Sequence, residues 1–272
     1  MATVLDPNQS ILAEEYSQFN DHQIRSGKDL FSSLNAKHGE GLKVLDMGCG
    51  TGELTACIAD MLGANSEIVG VDPLLDRINI AVNKNQRGNL RFIHGQSSSQ
   101  FPHHNEAYYD IHFSNFVFQW LHPMEKEVFI DTAFRVLKPG GRIAIQSVEE
   151  KPEILSAGFK HLLGDGFEEQ RVPEYFARKS EVEVMLKQAG FVIVSAEYKP
   201  ISNKYENLAH FLAWIRATFY ICEGKLQENK VNGGFLQKFV KEDGTLTMIV
   251  PSVYQIIALK LNRKTLINTN RL

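Results

Sequence analysis

Between Leu42 and about Val148, five short β-rich runs alternate with stretches of helical periodicity, and this alternation constrains the fold more than any other feature of the chain. The runs are Lys43–Met47, Glu67–Asp72, Leu90–His94, Tyr109–Ser114 and Gly141–Ser147, each rich in β-branched or aromatic residues and bordered by turn residues. Between them, Glu53–Leu62 and Leu74–Asn83 carry apolar residues three and four apart. Lys126–Leu137 does the same and stops at the turn signal Lys138-Pro-Gly-Gly141. Strands that alternate with helices predict an α/β, doubly wound, Rossmann-like sheet with helices on both faces. Two later runs, Phe191–Ser195 and Val253–Lys260, bring the expected sheet to seven strands.

Past residue 150 the alternation fails, and helical runs fall near Glu153–Leu163, Ser180–Ala189 and Leu208–Ile221. Helical material at this point in the chain is placed to roof the carboxyl edge of the strands, where open α/β sheets bind ligands, so a lid is expected. The segment Asn8–Asn35 carries Ile11, Leu12, Tyr16 and Phe19 at roughly helical spacing and predicts one or two helices against the same edge. The expected organisation is a helical cap (1–40), a cofactor-binding core (41–150), a lid with the remaining strands of the same domain (151–262) and a polar, frayed tail (263–272).

A chain of 272 residues, 43% hydrophobic and 22% charged, can bury one substantial core. A formal net charge of -3 leaves no basic surplus for a phosphate backbone, so no nucleic-acid partner is expected. No apolar run approaches the roughly 20 residues of a membrane helix, and the first residues lack the order of a signal peptide. A cytoplasmic protein without a membrane span is the expectation. The three cysteines cannot all pair, and no metal-ligand spacing surrounds Cys49 or Cys57, so all three are read as free thiols and no metal is expected.

The first strand runs into Asp46-Met-Gly-Cys-Gly-Thr-Gly-Glu53. Gly48, Gly50 and Gly52 allow a tight turn and close approach of a ligand, and Glu53 opens a helix whose amides face the same place. A dinucleotide fingerprint places its third glycine one residue later, and a phosphate loop continues with Lys-Ser/Thr where this chain has Glu53-Leu54. Glu53 also adds negative charge where a phosphate would seek amide donors. A cationic or zwitterionic ligand is therefore favoured over a phosphate. Asp72, at the end of the second strand and about 20 residues past the loop, is placed to accept both hydrogen bonds of an unphosphorylated ribose diol. The competing structural readings are that the glycines serve only the turn, and that Asp72-Pro73 is a helix N-cap with proline at the first helical position. Asp46 either holds the loop's amides or meets a ligand ammonium group.

Three segments carry a resemblance: Val44-Leu-Asp-Met-Gly-Cys-Gly-Thr-Gly52, Val71-Asp72 and Val136-Leu-Lys-Pro-Gly-Gly-Arg142. Together they resemble the hallmark segments of class I S-adenosylmethionine-dependent methyltransferases, over residues from about 40 to 150. The resemblance implies S-adenosyl-L-methionine as cofactor and an antiparallel last strand near Val253. It also implies cofactor contacts from Asp46, Gly48, Gly50, Gly52, Asp72, Pro73 and Asn115, with Tyr16 closing over the site. Where that family often has an acidic residue for the adenine amino group, this chain reads His94-Gly-Gln-Ser-Ser-Ser99, which leaves Gln96 or Ser97 as neutral acceptors.

Within the superfamily, Ser114-Asn-Phe-Val-Phe-Gln-Trp-Leu121 is similar to the matching segment of trans-aconitate and malonyl-carrier-protein methyltransferases, with juvenile hormone acid methyltransferase in the same circle. The resemblance implies a small-molecule acceptor and methylation of a carboxylate oxygen. The alternatives are methylation of nitrogen, carbon or a phenolic oxygen, or a cofactor- or partner-binding protein without turnover. Gln119, Trp120 and His122 are the candidate catalytic residues. Gln23, Arg25, Gln119, Trp120, Trp214 and Arg216 are the candidate acceptor contacts. Each has a structural alternative: Trp120 as a core cap, His122 as a loop histidine, Arg216 with its charge carried to solvent, Tyr16 as part of an amphipathic face. Glu149-Glu150 is read as a solvated loop. Oligomeric state is not legible.

Overall fold

The computed structural model describes residues 10–164, 175–221, 223, 226 and 233–261. The expected tail (263–272) and Cys222 lie outside them; Cys49 and Cys57 are free thiols. The strands are β1 (Lys43–Met47), β2 (Glu67–Asp72), β3 (Leu90–His94), β4 (Tyr109–Asn115), β5 (Leu137–Val148), β6 (Phe191–Tyr198), β7 (Ile201–Tyr205), β8 (Leu246–Val250) and β9 (Val253–Lys260). The helices are α1 (Ser10–Phe19), α2 (Asp21–Ser32), α3 (Glu53–Leu62), α4 (Leu75–Lys84), α5 (Pro123–Val136), α6 (Glu153–Leu163), α7 (Lys179–Gln188), α8 (Leu208–Thr218) and α9 (Gly233–Phe239).

Seven strands form one sheet in the order β3-β2-β1-β4-β5-β9-β6. Neighbours from β3 through β5 are parallel, and β9 runs antiparallel to β5 and β6, as expected of the last strand. A parallel strand buried on both faces reads as a continuous apolar run, which is why these segments stand out in the sequence. Successive side chains point to opposite faces. Val44, Ile68, Ile111 and Phe113 pack with Leu30 and Phe31 of α2 and Ile58 and Leu62 of α3. Leu45, Val69, Val71 and Ile143 pack on the other face with Phe129 and Ala133 of α5 and Val182 and Leu186 of α7.

Two of the boundaries that differ from the sequence reading have a clear local cause. Helix α5 begins at Pro123 rather than Lys126, because proline's fixed φ suits the first helical position and Glu125 Oε2 accepts the His122 amide at 2.8 Å. Lys126 is buried inside the helix, its ammonium donating to the carbonyls of Leu121 and Tyr175. The Lys138-Pro-Gly-Gly141 turn lies within β5 and does not precede it. Leu137 already pairs with Tyr109, Arg142 pairs with Ile111, and the residues between them bulge out, with Gly140 at φ +86°. The α5 carbonyls of Phe134 and Leu137 just beyond it receive the Lys260 ammonium at 2.5 and 2.7 Å, a cation at a helix C-terminus.

The roof over the carboxyl edge is partly helical and partly a two-stranded antiparallel ribbon, β7–β8, which the sequence reading did not contain. Phe159 of α6, Phe211, Trp214 and Ile215 of α8, Tyr205 of β7 and Met248 of β8 share a second core with Val148 and Val253. Helix α6 approaches α8 closely at Gly158, where an added Cβ would lie 2.2 Å from Ile215 Cδ1. The cap joins this roof through α1, which packs against both α8 and α4.

Candidate active site

The carboxyl ends of β1, β2 and β4, the α1–α2 junction and the roof enclose a cavity of about 890 Å³. That is within the usual range for small-molecule sites, roughly 300–1,000 Å³. Its sheet side is the glycine loop. Gly48 and Gly52 both sit at φ +87°, and Gly50 at φ +58°. A side chain at Gly48 would bring its Cβ within 2.1 Å of Val117 Cγ2, and one at Gly52 within 2.6 Å of Phe92 Cζ. Gly48 and Gly50 line the cavity, whereas Gly52 lies behind it at the start of α3.

Asp72 is buried at the end of β2. Its Oδ2 accepts the Gly50 amide and its Oδ1 the Leu74 amide, both at 2.9 Å. A carboxylate has about four lone-pair sites, so two remain for hydroxyl donors. Asp72 therefore ties the loop to β2. The helix-cap reading fails, because α4 starts at Leu75 and Asp72 closes the turn before it. Burial raises the Asp72 pKa, opposed by Arg77 and by the two amide bonds. Asp46 is buried at the end of β1, where Thr55 Oγ1 donates to its Oδ2 at 2.6 Å, and burial pushes its pKa up to about 7. Glu53 Oε2 accepts from Thr51 Oγ1 at 2.5 Å and Asn20 Nδ2 at 3.0 Å, joining the loop to the α1–α2 junction. Asp46, Glu53 and Asp72 thus all line the loop end of the cavity, a gathering of carboxylates that suits a ligand carrying positive charge.

The sequence reading missed Arg77, which holds the cap over this end. Its guanidinium stacks 4.0 Å from the Tyr16 ring centroid and 4.9 Å from that of Tyr220, and its Nε donates to Tyr220 Oη at 3.0 Å. Burial pushes the Tyr16 pKa up to about 12, so the phenol stays protonated. Pro73 and Gln96 line the cavity. Ser97 does not; its carbonyl instead accepts the Thr132 hydroxyl at 3.1 Å.

At the end of β4, Asn115 Nδ2 donates to the Gln23 carbonyl at 2.9 Å and its Oδ1 accepts from Gln146 Nε2 at 2.6 Å. The next residue, Phe116, has φ +55°, a left-handed conformation uncommon for a residue with a side chain. It is held by three hydrogen bonds: its amide donates to Gln146 O at 2.9 Å, and its carbonyl accepts from Gln119 Nε2 at 3.0 Å and Trp120 Nε1 at 3.2 Å. Gln119 Oε1 accepts the Ser147 hydroxyl at 2.7 Å. Gln119 and Trp120 line the cavity, but their polar atoms serve the turn, and Trp120 presents its ring, 5.0 Å from that of Phe219. His122 lies exposed at the rim, ahead of α5, its ring 5.1 Å from that of Tyr175.

The roof side is walled by Phe116, Trp120, Tyr175, Phe176, Trp214 and Phe219, with Ile201, Met248 and Val250 from the ribbon. Gln23 lines the cavity and its buried Oε1 has no partner in the protein. His22, also missed from sequence, packs 5.1 Å from the Trp214 ring, and burial pushes its pKa down to about 3, leaving the imidazole neutral. Neither candidate arginine lines the cavity. Arg25 is exposed on α2. Arg216 points from α8 to α1, with Nη2 3.8 Å from Glu15 Oε1 and 3.4 Å from Glu223 Oε1, an ion pairing across the cap rather than a substrate clamp. Among the described residues no His/Cys/Asp/Glu group has a metal-binding arrangement, and no helix is long and apolar enough to cross a membrane.

The strand order is that of a doubly wound, Rossmann-like sheet, and the glycine loop and acidic loop end line a cavity at its carboxyl edge. The methyltransferase domain model matches residues 44–141, the segment from β1 into β5. Over 175 residues the chain is 27% identical to phosphoethanolamine N-methyltransferase 1 of Arabidopsis thaliana, a match spanning 64% of this chain and 33% of the plant protein. It is 29% identical over 134 residues to trans-aconitate 2-methyltransferase of Rhizobium leguminosarum, covering 49% of this chain and 48% of that one. The chain thus spans a third to a half of these relatives' length. A solved S-adenosylmethionine-dependent methyltransferase from Aquifex aeolicus shares the fold, with a TM-score of 0.52, 21% identity, and coverage of 68% of this chain and 92% of that one. Residues 44–141 are a methyltransferase domain, and the chain is similar to S-adenosylmethionine-dependent methyltransferases, whose cofactor is S-adenosyl-L-methionine.

Proposed function

We propose that this methyltransferase esterifies the carboxylate of a small, largely apolar acid. The observation that carries the reading is the character of the roof side of the cavity: aromatic and aliphatic walls, with a histidine that burial keeps neutral. A carboxylate has a reference pKa near about 4 and is ionised at neutral pH, so it needs no protein base. A phenol or an ammonium group would have to lose a proton first. When bound, the cofactor supplies a methyl group on a sulfonium: a carboxylate oxygen forms the new C–O bond as the C–S pair returns to sulfur, and no proton moves.

Asp72 would take the ribose diol with its two remaining lone-pair sites, Asp46 would face the ammonium group, and Gln96 would accept from the adenine amino group. Tyr16, clamped by Arg77, would cover the cofactor and exclude water. Trp120 and Phe219 hold the acceptor's apolar body, and the Gln23 amide orients its carboxylate. Alignment of this kind accounts for roughly 7–11 kcal/mol of barrier lowering in well-oriented reactions. The likeness to trans-aconitate 2-methyltransferase agrees with an acid acceptor. The likeness to phosphoethanolamine N-methyltransferase supports a second reading, methyl transfer to an amine. Labelled S-adenosylmethionine offered with a panel of free acids, amines and phenols separates the two. Label in a base-labile ester is expected; label only in base-stable product contradicts the ester reading.

A further inference from the structure

Asn203 and Trp214 are respectively 6% and 5% exposed and both line the cavity from its roof, yet Asn203 Nδ2 and Trp214 Nε1 have no hydrogen-bond partner in the protein. Tyr205, two residues along β7 from Asn203 and so on the same face, is 2% exposed with its hydroxyl equally unpartnered. The Tyr205 ring lies 5.6 Å from Trp214 and 6.2 Å from His22. Across the ribbon Asn203 faces Met248, which also lines the cavity. Buried polar groups are rarely left unpaired, and two on the roof of a ligand cavity, Asn203 and Trp214, with Tyr205 unpartnered behind them, point to a ligand that completes them.

The chemistry of the patch narrows that ligand. An indole N–H only donates, and the unpartnered Asn203 atom is an amide N–H₂, so the complementary atom is an acceptor with lone pairs. Asn203 and Trp214 are themselves uncharged, His22 is neutral, and the adjoining ribbon residues, Ile201 and Val250, are aliphatic. A desolvated anion there would lack a counter-ion, whereas a neutral oxygen would be matched.

We infer that Asn203 and Trp214 form a specificity subsite for a neutral oxygen, carbonyl, ether or hydroxyl, carried on the acceptor apart from the group that is methylated. The inference rests on the small-acid reading for what the acceptor is, but its test does not require turnover.

With S-adenosylhomocysteine present, the full-length protein is titrated with medium-chain methyl esters bearing a ketone at successive positions, and with their oxygen-free counterparts, and binding is followed by calorimetry. The wild type should prefer at least one keto ester by about tenfold or more, the discrimination expected of a buried hydrogen-bond donor pair. Asn203→Leu and Trp214→Phe should each abolish most of that preference while still binding the oxygen-free ester. Equal affinity for both members of every pair, no binding of any ester, or preference retained in both variants overturns the inference. Without ligand, Asn203→Leu should melt no lower than the wild type, because it removes an unpaired buried amide; a lower melting temperature means that Asn203 serves the fold instead. Should acids prove not to be methylated, the ester reading falls while this preference for a neutral oxygen still stands or fails by its own measurement.

Discussion

Asp46 offers the most informative perturbation of the cofactor half of the site. Its carboxyl is buried with a single side-chain hydrogen bond, from Thr55, and burial raises its pKa from 3.8 to about 7. A raised pKa means that the folded protein holds this proton more tightly than the unfolded chain does. The resulting stability is fully present below about pH 4 and is lost as pH rises through about 7. At about 1.4 kcal/mol per pH unit, that interval sets a ceiling of about 4 kcal/mol on the cost of the ionised carboxylate at neutral pH. Asp46→Asn keeps the shape, can still accept from Thr55, and carries no charge. Without cofactor, the variant should therefore unfold at higher temperature or urea than the wild type at about pH 8, by up to that ceiling, and the two should converge toward about pH 4. Cofactor affinity should move the other way, weakening by about tenfold to a hundredfold as the ammonium group loses its charged partner. Urea unfolding across this pH range, with calorimetric titration of S-adenosylhomocysteine, reads both. A variant less stable than the wild type at about pH 8, or one with unchanged affinity, refutes the reasoning.

Other perturbations test other parts of the account. Asp72→Ala should weaken S-adenosylhomocysteine binding by about 1.5–3 kcal/mol in calorimetry, since it removes charge-assisted bonds from the ribose and releases the Gly50 amide. Gly158→Ala should be net destabilising by up to about 2 kcal/mol in urea unfolding, because the new methyl group meets Ile215 Cδ1 at 2.2 Å within the roof core, which outweighs the roughly 1 kcal/mol alanine gains over glycine inside a helix. Arg25→Ala should leave the acceptor KM within about twofold of the wild type, because an exposed surface substitution away from the cavity changes little.

The sheet and glycine loop are legible in the sequence because their physics is local. Val44-Leu45 and Ile68-Val69 fill both faces of a parallel sheet and so read as apolar runs, and the loop glycines follow directly on β1. The ribbon is not legible: Ile201-Ser-Asn-Lys-Tyr205 mixes polar and apolar positions, and it is defined by pairing with residues 246–250, far along the chain. Arg77 reads as part of a solvated helix face, since Tyr16 and Tyr220, which bury it, come from opposite ends of the sequence. A signal for it in the sequence is the apolar Ala81 four residues on, which shares its side of the helix. The candidate arginines fail for the same reason: charge suits an acidic acceptor, but only the packing of α1 on α8 reveals that Arg216 faces Glu15. Gln119 and Trp120 line the cavity, but the turn that engages their polar atoms depends on the left-handed Phe116, which no pattern announces.

The central claim, an acceptor already ionised and methylated without a protein base, is tested most directly by the pH dependence of single-turnover methyl transfer at saturating cofactor and acceptor. The account predicts a rate constant that is flat from roughly pH 6 to 9, above the carboxylate range. A rate that climbs about tenfold per pH unit across that interval would show that a proton must leave the acceptor first, and would contradict it.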